Sequence, residues 1–158
     1  MRYEKISVLI LALLVACLFL FGSSNGEQKV LIKEVITLPG APPSNLPYSP
    51  GIKVGNMLFL SGTTGTDPKT GELVSDDVAE QTKACMERLK IVLEQAGMDF
   101  SDVVRGTVFL ADINDYAAMN KVYGSYFKKA PPARACVQAA KLVHNAKVEI
   151  SMIAIKTE

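Results

Sequence analysis

The chain has no tryptophan, one histidine (His144) and three cysteines (Cys17, Cys85 and Cys136). No two cysteines stand in CxxC spacing, so neither a structural zinc site nor a histidine-rich metal centre can be assembled within it, and no metal ligands are expected. An excess of charge of one sign is also missing: Lys plus Arg number 17 against 16 Asp plus Glu, a net charge of +1. Affinity for phosphate backbones rests on a clustered basic surface, so no nucleic-acid partner is expected. There is no P-loop and no GxGxxG turn, and the lone histidine is joined to no serine or cysteine nucleophile signature.

What is present is 158 residues, 49% of them hydrophobic, enough for one domain with a real core. The first 26 residues stand apart. Two cations in Met1–Lys5, an apolar run over Ile6–Phe21 and a small polar stretch over Gly22–Gly26 have the layout of a secretory signal. As a helix the run would rise about 24 Å, short of a hydrocarbon core of about 30 Å unless its flanks snorkel. A cleaved signal peptide, a retained transmembrane anchor through residues 6–21 and acylation at Cys17 are all open. Residues 1–26 are therefore expected to be a signal or anchor and 27–158 the folded domain, with a secretory, extracytoplasmic or membrane-anchored destination.

Along the domain, Lys29–Thr37 is β-rich, and Leu38–Gly51 holds five of the eight prolines and must be irregular. Ile52–Val54 and Met57–Leu60 read as a hairpin about Gly55-Asn56, followed by a loop over Thr63–Gly71. Val78, Thr82, Cys85, Leu89, Val92 and Ala96 recur at helical spacing, with Asp77 and Glu80 resembling a capping box and Gly97 placed to end the helix. Val103–Leu110 is a strand. Asp112 and Asn114 offer caps for a second helix with Tyr116, Met119, Tyr123 and Tyr126 along one side, ended by Pro131-Pro132. Ala133–Ala139 and Lys147–Ile155 close the chain as strands.

Two helices cannot cover both faces of a sheet of about six strands, so one face is left for a partner. The last strand shows the division, with Val148, Ile150, Met152 and Ala154 on one side and Glu149, Ser151, Ile153 and Ile155 on the other. A homo-oligomer is expected. Chemistry is most legible at Arg134 and Glu149: a guanidinium grips a small carboxylate through two parallel hydrogen bonds, and a carboxylate can hold and deprotonate a water. A plain salt bridge between them is the competing reading. Cys85 reads as core, and His144 as exposed.

Pro47-Tyr48-Ser49, Val54-Gly55-Asn56, Leu60-Ser61-Gly62, Asp67–Leu73, Thr107–Leu110, Asn120–Tyr123, Pro131–Arg134 and Val148-Glu149-Ile150 resemble, in that order, blocks of the RidA (YjgF, L-PSP) family of reactive-intermediate deaminases. The resemblance runs from about Lys33 to Ile155. It implies an α+β, chorismate-mutase-like domain of about six strands with two helices on one face, forming a homotrimer with sites between subunits. It further implies hydrolysis of 2-imino acids or enamines, such as 2-iminopropanoate and 2-iminobutanoate, to 2-keto acids and ammonia without a cofactor. Matching positions assign Arg134 to the substrate carboxylate and Glu149 to the attacking water. Tyr48 and Asn120 would be walls or polar contacts, Ser61 and Gly62 the pocket border, and Cys136 a main-chain contributor. Pro50 and Thr63 depart from the family pattern near the expected pocket mouth. The alternatives are a trimeric small-acid-binding or chaperone-like module without turnover and, from the family's older name, an endoribonuclease. The family's usual compartment, cytoplasm or organelle, is the alternative to secretion.

Overall fold

A computed structural model describes residues 30–40 and 46–157. The chain divides at Val30, and the unit described here is Leu31–Glu158. Its strands are β1 (Lys33–Ile36), β2 (Gly51–Val54), β3 (Met57–Thr64), β4 (Val103–Leu110), β5 (Ala133–Gln138) and β6 (Val148–Ile155), and its helices are α1 (Val78–Gln95) and α2 (Tyr116–Ser125). Chain order agrees with the sequence reading. The sheet order is β1-β2-β3-β6-β4-β5, with β4 and β5 parallel and every other pairing antiparallel.

That order explains why both helices share one face. The β3–α1–β4 and β4–α2–β5 connections each join parallel strands and step across the sheet in the same direction. Right-handed crossovers taken in one direction put their helices on one side. β6 fills the gap that the longer first crossover leaves between β3 and β4. The single core lies beneath the helices, where Leu58, Val108, Leu110, Val148 and Ile150 meet Cys85, Met86, Leu89, Leu93 and Met119. Full burial of each large apolar side chain stabilises the fold by roughly 1.5–3 kcal/mol relative to exposure. Burial along β6 alternates strictly, Val148, Ile150, Met152 and Ala154 being buried and Glu149, Ser151, Ile153 and Ile155 only partly so. The other face stays open, with Phe59 42% and Val137 48% exposed.

The ends of α1 are set by two residues visible in the sequence. Asp77 accepts a hydrogen bond from the Glu80 amide at 2.9 Å. The reciprocal half of the expected capping box is not made, because the Asp77 amide donates to Ser75 Oγ at 3.0 Å instead. At the other end Gly97 takes φ +73°, which lets the Met98 amide reach the Leu93 carbonyl at 2.9 Å. Asp77→Ala is expected to lower the unfolding free energy by about 1 kcal/mol with an unchanged denaturant slope, measured by urea unfolding. The caps expected for the second helix act one step earlier: Asp112 accepts from the Asn114 amide at 2.9 Å and starts a 3-10 turn, Ile113–Asp115, which leads into α2.

Three expectations need correction. Thr63 and Thr64 belong to β3 rather than to a loop, because a register shift between Leu60 and Thr63 bulges the strand outward at Ser61-Gly62 and lets pairing with β6 resume. The first strand is confined to Lys33–Ile36, the part that finds β2 to pair with. The signal-peptide and transmembrane expectation has no support: among the described residues no helix is long and apolar enough to cross a membrane. The longest, α1, carries Glu80, Lys83, Glu87, Lys90 and Glu94 exposed on its outer side. Residues 1–26, on which that expectation and the division at 26/27 rested, lie outside the described residues.

Candidate functional site

Arg134 lies on the edge strand β5, which lies beside β4, with Gly106 as its register partner. Its side chain turns toward α2. Nη2 donates to Asn120 Oδ1 at 2.6 Å and to Tyr116 Oη at 3.1 Å. The guanidinium carbon stands 4.6 Å from the centre of the Tyr123 ring and 5.6 Å from that of Tyr116. Tyr116, Asn120 and Tyr123 are spaced by four and three along α2, so the helix presents them as one stripe. Both acceptors are neutral, and among the described residues the half-buried Arg134 is paired with no carboxylate. Cys136, two residues along the same strand face, packs against the core, and its thiol is held above the ordinary range by burial, partly offset by Arg134.

Glu149 lies on β6 opposite Phe109 of β4, on the open face. Its carboxylate rests over Gly62 in the bulge of β3, in the space where any Cβ at position 62 would fall. The bulge is tied down from both sides. Cys85 Sγ donates to the Thr63 carbonyl at 3.2 Å, Ser61 Oγ donates to the Ser49 carbonyl at 2.7 Å, and the Ser61 amide donates to the Pro50 carbonyl at 3.0 Å. The last two bonds dock the proline-rich segment on β3. Tyr48, beside Ser49, is 57% exposed.

The sequence-derived residues thus fall into two groups. Arg134, Asn120 and Cys136 come together on the helix side, while Glu149, Ser61 and Gly62 come together on the open side. β5 and β6 are not neighbours, since β4 separates them. Arg134 pairs with Gly106 and Glu149 with Phe109, three residues apart on β4, and residues an odd number apart on a strand face opposite ways. A salt bridge between Arg134 and Glu149 within one chain is therefore not made. Nothing in the sequence marks Tyr116, Tyr123 and Gly106 as site neighbours except the four-and-three spacing around Asn120, since tyrosines along a helix equally suit a packed side.

Cys85 is fully buried, and burial first, then Glu149, pushes its thiol up to about 12 from an ordinary 9.0. It is a packed core thiol. Because the folded state holds this proton more tightly than the unfolded chain, its contribution to stability is fully present below pH 9 and is lost as pH rises toward 12. Alkaline unfolding measured for Cys85→Ala is expected to show a shallower decline over that interval. Among the described residues no His, Cys, Asp or Glu cluster could hold a metal ion.

The model of the family described as Endoribonuclease L-PSP matches residues 39–156. The chain is 46% identical over 126 residues to a RutC family protein of Pyrococcus abyssi, covering 80% of this chain and 99% of the relative. It is 43% identical over 126 residues to the human 2-iminobutanoate/2-iminopropanoate deaminase, covering 80% and 92%. The crystal structure of Escherichia coli TdcF with bound serine superposes with a TM-score of 0.72 at 36% identity, covering 78% of this chain and 99% of that one.

Proposed function

The chain belongs to the RidA (YjgF, L-PSP) family, and on that premise we propose that it hydrolyses 2-imino acids to 2-keto acids and ammonia. Membership supports reactive-intermediate deamination in general and a deaminase-type enzyme. The finer reading is carried by one observation: a half-buried guanidinium fixed by neutral acceptors, with no carboxylate among the described residues to neutralise it. A partly desolvated cation calls for an anion, and a planar fork selects a carboxylate.

In this reading Arg134 grips the substrate carboxylate and sets the adjacent imine carbon in place. Glu149 holds a water and takes one of its protons as oxygen bonds to that carbon, while the π pair of the C=N bond moves to nitrogen, which then receives that proton from Glu149. The carboxylate so regenerated relays the hydroxyl proton of the carbinolamine to the amine nitrogen, C=O forms, the C–N bond breaks and ammonia leaves. One water is consumed and one ammonia released. The imine carbon is already electrophilic, so orientation and charge placement suffice and no cofactor enters the scheme. Asn120 fixes the fork, Ser61 and Gly62 border the pocket beside the water-holding carboxylate, and Tyr48 is assigned to the pocket as a wall or polar contact. The near-neutral charge balance gives the ribonuclease reading no support.

Opposite faces of one sheet cannot both touch one small acid. The proposed site therefore joins Arg134 of one subunit to Glu149 of a second, in the expected homotrimer, with the apolar open face around Phe59, Val137 and Ile153 as the buried surface. A monomer by sedimentation at micromolar concentration would overturn the assembly. For the compartment, the cytoplasm or an organelle is proposed, as is usual for the family.

The activity is tested by adding the purified protein to a serine or threonine dehydratase and following decay of the released imine. Acceleration abolished by Arg134→Ala is expected; no acceleration by the wild-type protein would sink the reading. Gly62→Ala is expected to lower kcat by roughly tenfold or more, because a methyl there displaces the Glu149 carboxylate, while KM and the thermal midpoint change little.

A further inference from the structure

Tyr123 is only 4% exposed, and its hydroxyl is buried with no hydrogen-bond partner among the described residues. The hydroxyl lies against Gly106, where a Cβ would collide with it, and Gly106 is the register partner of Arg134. The gap left by the glycine lets the phenol tip lie against β4, so that the ring sits beneath the guanidinium with its centre 4.6 Å from Cζ. We infer that Tyr123, seated by Gly106, is a positioning residue that holds the Arg134 fork in the plane and at the depth needed to grip a small carboxylate. The inference rests on the carboxylate-binding role proposed for Arg134.

Two geometric facts and one general property of aromatic rings carry it. First, the contact between Tyr123 and Arg134 is through the ring face: the hydroxyl is directed at the strand, and burial holds the phenol up to about 12, so no phenolate forms to pair with the cation. Secondly, the stabilisation of a cation over an aromatic face depends on the ring and not on the hydroxyl. Thirdly, Asn120 and Tyr116 hold only Nη2, a single point about which the fork could pivot, whereas a ring beneath the plane removes that freedom.

The variants separate the ring, the hydroxyl and the gap. Tyr123→Phe keeps the ring and is expected to leave KM within about twofold, whereas Tyr123→Leu is expected to raise KM about tenfold with kcat within about threefold, the scale of a desolvated cation–π contact. Gly106→Ala displaces the hydroxyl and should raise KM similarly. Gly106→Ala combined with Tyr123→Phe should recover most of the loss, because removing the oxygen makes room for the methyl. A residue that served only to fill the core would show no such rescue of KM.

Binding of 2-oxobutanoate is measured by calorimetry on the same proteins, with Arg134→Ala alongside. Wild-type affinity in Arg134→Ala overturns the carboxylate-binding reading itself. Affinity lost in Arg134→Ala but kept within twofold in Tyr123→Leu and Gly106→Ala overturns the positioning role alone. If Tyr123→Leu does not fold, the Gly106→Ala variant and its rescue decide the question.

Discussion

Arg134→Ala is expected to lower kcat/KM by roughly 10² to 10³, the effect of removing one partner from a desolvated, hydrogen-bonded charge pair of about 2–5 kcal/mol. Stability should hardly move. The groups left behind, Asn120 Oδ1 and Tyr116 Oη, belong to exposed residues that water can satisfy. A shift of the thermal midpoint by no more than a degree or two, alongside the loss of activity, separates a binding role from a structural one. Arg134→Lys restores the charge without the fork, and about a tenfold deficit is expected to remain, since an ammonium cannot reproduce two parallel bonds or lie flat on Tyr123. Equal activity in wild type and Arg134→Ala would remove the basis of the proposed mechanism.

The second large effect concerns Glu149. Glu149→Gln keeps the shape that fills the space over Gly62 but cannot accept a proton, and kcat is expected to fall by roughly 10² to 10⁴ with KM little changed. The same variant tests the shared site. If Arg134 of one subunit works with Glu149 of the next, a trimer refolded from equal amounts of Arg134→Ala and Glu149→Gln chains has both residues intact in about one quarter of its sites by random assembly. Activity should return to about that fraction of wild type, although each parent is nearly inactive. If both residues of each site came from one subunit, mixing would restore nothing, because every site would carry one lesion. Single-turnover imine decay on the mixed and parent proteins reads the difference directly.

Gly62 and Gly106 set the packing of the two proposed half-sites. Each glycine leaves a space that a side chain enters: the Glu149 carboxylate at position 62 and the Tyr123 phenol at 106. The β3 bulge that presents Gly62 is held by a core thiol on one side and the proline-rich segment on the other. Changes at Cys85 or Ser61 are therefore expected to act on the Glu149 carboxylate through the bulge rather than by contact.

Much of this was legible in the residues. Periodicity placed α1, Asp77 and Gly97 marked its ends, and the alternation along Val148–Ile155 divided the last strand into a packed and an open face. These features follow from local geometry: a 3.6-residue or two-residue period, an amide needing an acceptor, a turn needing positive φ. Arg134 and Glu149 stand out by their chemistry alone, and the resemblance in eight short blocks gave them roles and added Asn120. It did not supply Tyr116 and Tyr123 as the surroundings of the guanidinium, because tyrosines on a helix read equally well as packing.

What the sequence by itself determined was therefore the set of elements, their order and the two-faced character of the sheet. Which strands lie side by side was decided only in three dimensions. Two same-direction crossovers put both helices on one face, β6 entered between β3 and β4, and β4 came to lie between Arg134 and Glu149. Pairing between strands distant in the chain is chosen by the burial of whole faces and the handedness of connections, which no local pattern encodes. That arrangement set the two residues three register steps apart on opposite faces, so that an apparent pair on consecutive strands is not a pair within one chain.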